Sequence, residues 1–160
     1  MGQTVLPLEL EIPSDIGYIE DAVAQVIRRC EQSAFSRHQL TFHVPVALTE
    51  ALSNAILRGN REDATKSVRV RLVVDAHLLV LEIEDDGTGF DLEACTADPT
   101  TPDNLGREDG RGLFLMRRLM DRVEQFRARV NVVRLTLRHC RCKTNSMNIS
   151  KRIYNSFISG

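Results

Sequence analysis

The apolar positions of this chain repeat first every two residues, then at helical spacing, then every two again. Leu6 to Ile12 alternates weakly and stops at Pro13, which suits an edge strand. Ser14 is placed to cap a helix, with Asp15 in its first turn. Ile16, Ile19, Val23, Ile27 and Cys30 form the apolar stripe of that helix, with Glu20, Asp21, Arg28 and Arg29 opposite. Ser33 to Gln39 is a polar link. The next stripe, Leu48, Ala51, Leu52, Ala55 and Ile56, predicts a second helix over about Val44 to Arg58, with Gly59-Asn60 as its stop.

Val68, Val70, Leu72 and Val74 then alternate as a half-buried strand. Asp75-Ala76-His77 makes a tight link to a second strand, Leu78 to Glu84. Residues 91–109 are aperiodic, acidic and long for a connection, the kind of loop that often carries function. A third helix is predicted at about Arg111 to Met120, with closing strands at Val123 to Phe126 and Asn131 to Arg138. Short turns between consecutive strands imply a mixed, mostly antiparallel sheet. Helices on one face then give a two-layer α/β sandwich.

Composition bounds this picture. A chain of 160 residues, 42% apolar and 27% charged, suits one folded domain. The net charge is −1 and hides an asymmetry. Residues 139–160 carry Arg141, Lys143, Lys151 and Arg152 and no acid. Residues 1–138 keep 17 basic against 22 acidic side chains, a net charge of −5. A body of that sign argues against direct nucleic-acid binding. No apolar run approaches the length of a membrane span, and Met1 to Ile12 lacks the regions of a signal peptide, so the expected location is the cytoplasm. There Cys30, Cys95, Cys140 and Cys142 are free thiols, and Cys140-x-Cys142 has no second pair at zinc-site spacing. Of 21 basic residues only Lys66, Lys143 and Lys151 are lysines, and none follows a glycine, so a P-loop is absent.

Three constellations carry candidate chemistry. Glu50, Asn54 and Arg58 lie at i, i+4 and i+8 on the second helix and form one polar stripe. A carboxylate there can take a proton, and an amide oxygen is a hard ligand for Mg²⁺. Asp85-Asp86-Gly87-Thr88-Gly89-Phe90 follows a strand directly. Asp85 can accept a hydrogen bond from an exocyclic amine, and Gly87 and Gly89 let backbone approach a flat ligand. Gly110-Arg111-Gly112 opens the third helix, where free N–H groups and a forked cation suit phosphate. Each alone has an ordinary reading as well: a solvated helix face, an Asp/Gly turn, a flexible helix entry.

In their order along the chain these stretches resemble the N, G1 and G2 boxes of the GHKL ATPase superfamily of sensor histidine kinases, gyrase B and MutL. The form is similar to the small anti-sigma factor serine kinases of the RsbW and SpoIIAB type. Leu48 to Ile56, Ile83 to Asp91 and Gly110 to Met116 carry the resemblance, and Leu119 to Val123 continues it. It implies a histidine-kinase-like (Bergerat) ATPase domain over 1–138 and leaves the basic tail 139–160 unassigned. It implies Glu50 as general base, Asn54 as Mg²⁺ ligand, Asp85 as adenine reader, and Gly87, Gly89, Gly110 and Gly112 as ATP cradle. Residues 91–109 correspond to an ATP lid, and Arg111 adds charge at the phosphates.

Two positions depart from the pattern. Arg58 stands where the family commonly has histidine; it can reach a phosphate or brace Glu50, but cannot shuttle a proton. Val130-Asn131 replaces a Gly-Thr pair whose hydroxyl supports the adenine aspartate, and Asn131 retains a donor for that bond. The resemblance further implies ATP and Mg²⁺ as cofactors, a STAS-domain anti-anti-sigma protein as phosphoacceptor, a sigma factor or equivalent effector as competing partner, and a homodimer, with Arg69, Arg71 and the lid available to such surfaces. The alternative is a kinase-inactive module that grips a sigma factor or STAS protein without phosphoryl transfer. A histidine kinase core would need a phosphoacceptor histidine on a dimerising helix pair, and His38, His43, His77 and His139 lie on none.

Overall fold

A computed structural model of the chain describes residues 6–89, 91 and 111–139. Residues 92–109 of the expected lid (91–109), with Phe90, Gly110 and the tail from Cys140 onward, lie outside the described residues.

The alternating segments all form strands: β1 (Leu6–Pro13), β2 (Ser67–Val74), β3 (Leu78–Asp85), β4 (Arg122–Arg127) and β5 (Asn131–Arg138). They make one five-stranded sheet in the order β1-β2-β3-β5-β4. Every pairing is antiparallel, so the sheet is not mixed among the described strands. β1 takes the edge that Pro7 and Pro13 favour. Asp75 closes the β2–β3 turn by accepting from the backbone N–H groups of His77 and Leu78 at 2.7 and 2.8 Å.

Period two sorts the side chains. Val68, Val70, Leu72, Val74, Leu79, Leu81, Ile83, Val133, Leu135 and Leu137 are buried on the face that meets the helices. The opposite face is a charge ladder. Arg69 pairs with Glu84, Arg71 reaches Glu9 at 3.5 Å, and Arg134 binds Glu82 at 2.6 Å with its guanidinium 4.7 Å from the Phe126 ring centre. Arg69 and Arg71 are therefore engaged in ion pairs rather than standing free on the surface. A small apolar cluster, Val73, Leu78 and Val80, sits at the hairpin end of the same face.

The helices are α1 (Ile19–Cys30), α2 (Val44–Asn54) and α3 (Arg111–Leu119). The start of α1 differs from expectation. Asp15, not Ser14, is the cap: its Oδ1 accepts from Gly17 N at 2.8 Å and opens a 3₁₀ turn at Ile16–Tyr18. Ser14 is buried and its hydroxyl has no hydrogen-bond partner among the described residues. Ile19, Ala22, Val26 and Cys30 are buried and the expected Val23 and Ile27 pack against the core partly buried, while Ile16, in the extra turn, is 53% exposed. Burial pushes the Cys30 thiol up to about 12, which makes it an inert apolar filler.

The helical run built on α2 is longer than its pattern, because π-helical turns flank α2 at Gln39–His43 and Ala55–Gly59. Pro45 accounts for the first. It has no N–H and its ring crowds the carbonyl four residues back, so the preceding turn widens and Val44 N–H bonds to Gln39 O. The whole helical run Gln39–Gly59 has 21 residues and, by length and composition alone, is apolar enough to cross a membrane. The pattern predicts no such run, because it places Gln39 in a polar link. Val44, Ala47, Leu48, Ala51, Leu52, Ala55 and Ile56 bury one side of it in the core beneath the sheet. His43 Nδ1 lies 2.9 Å from Leu119 O and ties the start of α2 to the end of α3.

Leu81, at the centre of β3, is fully buried. Leu81→Ala is expected to cost about 2–5 kcal/mol through lost burial and a residual cavity. Urea unfolding checks this: the midpoint should fall while the slope stays constant.

Candidate functional site

The last turn of the α2 run places the site. Its π geometry bonds Asn60 N to Ala55 O at 2.8 Å and shifts Gly59 toward the end of β3. Gly59 does not end the helix in the left-handed region. That conformation falls on Arg61 and Glu62, with φ of 55° and 54°. Glycine is required at 59 for contact instead. A Cβ there would stand 2.4 Å from Asp85 Cγ and Oδ1 and 2.6 Å from Oδ2. The Asp85 carboxylate thus lies directly against the backbone of the helix end.

Asp85 is 1% exposed. Its Oδ1 accepts from Gly87 N at 2.9 Å and from Asn131 Nδ2 at 2.9 Å. Oδ2 makes no hydrogen bond to a described residue. Asn131 Nδ2 also donates to Gly87 O at 2.8 Å, so this amide performs the support expected of it and anchors the glycine loop as well. Gly87 and Gly89 are needed for close approach. A Cβ on Gly87 would lie 1.6 Å from Gly59 O, and one on Gly89 would lie 2.4 Å from Asn131 Oδ1. Gly89 also has φ +80°, a conformation that favours glycine.

Burial in this dry corner raises the Asp85 carboxyl above the usual aspartate range, opposed by the bonds from Asn131 and Gly87; Asp86 adds a raising field and Lys66 a lowering one. An acid with a raised pKa destabilises the fold when ionised. Its contribution to stability therefore worsens as pH rises through the raised value and improves in acid.

A second cluster lies further back along the same helical run, five and nine residues before Gly59. Glu50 and Asn54, both half-buried, meet the start of α3. A Cβ on Gly112 would be 2.5 Å from Glu50 Oε2 and 3.7 Å from Asn54 Nδ2. Arg111 is exposed at the first position of α3, and Arg58 is half-buried in the π turn. Among the described residues no cluster of three or more His, Cys, Asp or Glu could hold a metal. A hard cation here would rest on the Asn54 amide oxygen and on oxygens its ligand brings. Glu50 and Gly59 are nine residues apart, about 13 Å of helix, on the scale of a nucleoside triphosphate.

Gly59 and Asn60 are the site residues that sequence reasoning missed. The pair carries a helix-stop signal, and nothing local shows that the glycine seats Asp85. Asn60 is 1% exposed, accepts from Asp86 N at 3.0 Å and donates to Ser67 O at 2.8 Å.

An aspartate seated on glycines at a strand end, and a Glu/Asn pair against a glycine-bearing helix start, define a class, the histidine kinase-like ATPase domain, whose family model matches residues 12–137. The chain belongs to this family, on its anti-sigma-factor serine-protein kinase branch. It is similar to the serine-protein kinase RsbW of Bacillus subtilis (strain 168), 31% identical over 126 residues that cover 72% of this chain and 75% of the relative. The serine-protein kinase RsbW of Bacillus velezensis is 30% identical over 134 residues, covering 78% and 80%. The anti-sigma F factor of Anoxybacillus flavithermus is 30% identical over 82 residues, covering 50% and 56%.

Proposed function

We propose that this chain is an ATP-dependent protein serine kinase that acts as an anti-sigma switch in the cytoplasm. On this reading it works as a homodimer, phosphorylating a serine of a STAS-domain partner that competes with a sigma factor for it. The observation that carries the reading is that Asp85 is seated on Gly59 at the end of the α2 run, while Glu50, nine residues earlier in that run, meets Gly112 at the start of α3.

On this reading Asp85 Oδ2 accepts from the adenine amine, while Gly87 and Gly89 give the base room. Asn54, Arg58, Gly110, Arg111 and Gly112 hold the phosphates, with Asn54 also holding Mg²⁺. Bound ATP and Mg²⁺ supply the phosphoryl group and neutralise its charge. Glu50 takes the proton from the partner's serine as its oxygen bonds to the γ-phosphorus and the bond from that phosphorus to the bridging oxygen breaks. ADP leaves with the electron pair of that bond.

Calorimetric titration with ATP and Mg²⁺ tests nucleotide binding. Affinity should fall as pH drops through the raised pKa of Asp85, because the protonated acid is a poorer acceptor. Asp85→Asn should leave the fold intact and weaken ATP about 10- to 100-fold, the worth of one hydrogen bond to a charged acceptor. Unchanged affinity in that variant would contradict the role of Asp85. Arg58, standing in the family's histidine position, favours a second reading as a kinase-inactive binding module. Absence of any stabilisation at millimolar ATP would support that module.

A further inference from the structure

Asn60 is buried at the junction of three elements and uses both ends of its amide. Its Oδ1 holds the N–H of Asp86, the residue after the carboxylate that faces the base site. Its Nδ2 holds the carbonyl of Ser67, where β2 begins. Its own N–H closes the π turn that presses Gly59 against Asp85. On the far side Asn131 ties Asp85 Oδ1 and Gly87 O. The two amides thus grip the strand end from opposite sides. Of the two, only Asn60 caps the helical run that also carries Glu50 and Asn54. A helix-stop asparagine would need neither contact.

We propose that Asn60 is a positioning residue of the base site: it staples the segment after Asp85 to the end of the α2 run and so fixes the direction of the Asp85 carboxylate. This rests on the reading of the site as one for ATP. Without the staple Asp86 N is released, the Asp85 side chain is no longer held on Gly59, and its free oxygen loses a fixed direction. Binding to the rest of the nucleotide, made by residues earlier in the run and at the start of α3, is affected less. The loss should therefore be specific to the group that Asp85 reads.

The test compares ATP with purine riboside triphosphate, which lacks the 6-amino group, by titration against the whole chain with Mg²⁺. The parent should prefer ATP about tenfold or more. In Asn60→Ala the preference should fall below about threefold, chiefly by weaker ATP binding. Leu81→Ala, destabilised elsewhere in the core, should keep the parent preference. An unchanged preference in Asn60→Ala, even with both affinities lowered, would overturn the proposal. A parent with no preference would overturn the nucleotide reading itself, and the proposal with it. Should Asn60→Ala not fold, hydrogen exchange on the parent decides: the Asp86 amide should be protected without nucleotide, and free exchange there would refute the staple.

Discussion

Gly87→Ala is expected to abolish ATP binding and to destabilise the domain by about 2–4 kcal/mol. The added methyl carbon would meet Gly59 O at 1.6 Å, Gly59 C at 2.1 Å and Gly59 Cα at 2.8 Å. All three are backbone atoms in the last turn of a buried helix, so no side-chain rotation relieves the clash. The helix end and the loop after β3 must separate. That separation breaks the Asn131 bond to Gly87 O, strains the Asn60 bond to Asp86 N and lifts Asp85 off Gly59. Gly17→Ala is the matched control. Its nearest neighbour is the Asp15 carboxylate at 3.2 Å, the exposed end of a side chain that can give by a few tenths of an ångström and keep its cap on Gly17 N. Urea unfolding and ATP titration should show a large loss for the first and little change for the second. Retained ATP affinity in Gly87→Ala would show that the glycine loop does not form the nucleotide site.

Glu50→Gln should leave ATP affinity within a few-fold and reduce phosphoryl transfer by about 10²–10⁴. The amide matches the carboxylate in shape, so it can keep the packing of Glu50 against Gly112. It cannot accept a proton. Loss of a negative charge near the start of α3 costs at most about 1 kcal/mol of favourable interaction with the helix dipole, so the fold survives. Single-turnover transfer of labelled phosphate separates this loss of chemistry from loss of binding. Transfer at the parent rate would remove Glu50 from the mechanism.

The strands were legible in the sequence because their burial follows the two-residue period closely. Val68 to Val74 and Val133 to Leu137 alternate as the sheet does, and the register follows. The ends of helices were less legible. Asp15 outcompetes Ser14 as cap because a 3₁₀ turn precedes α1, which puts Asp15 next to its first N–H groups and leaves Ser14 buried one residue earlier. The π turns around α2 come from a proline on one side and a contact with β3 on the other. The first is visible locally and the second is not. In the candidate site, Glu50, Asn54, Asp85, Gly87, Gly89 and Gly112 stand out by residue type and order, and Asn131 only through the family resemblance. Gly59 and Asn60 were not, because their roles are tertiary: one makes room for a carboxylate 26 residues away, and the other binds two backbones that meet only in the folded chain.

The most direct test of the central proposal is phosphoryl transfer itself. The whole chain, incubated with Mg²⁺, ATP labelled on its γ-phosphate and a STAS-domain protein from the same organism, should label a serine of that protein. Glu50→Gln should leave it unlabelled. Binding of ATP and of the STAS protein with no label on serine would contradict the kinase account and leave a binding module in its place.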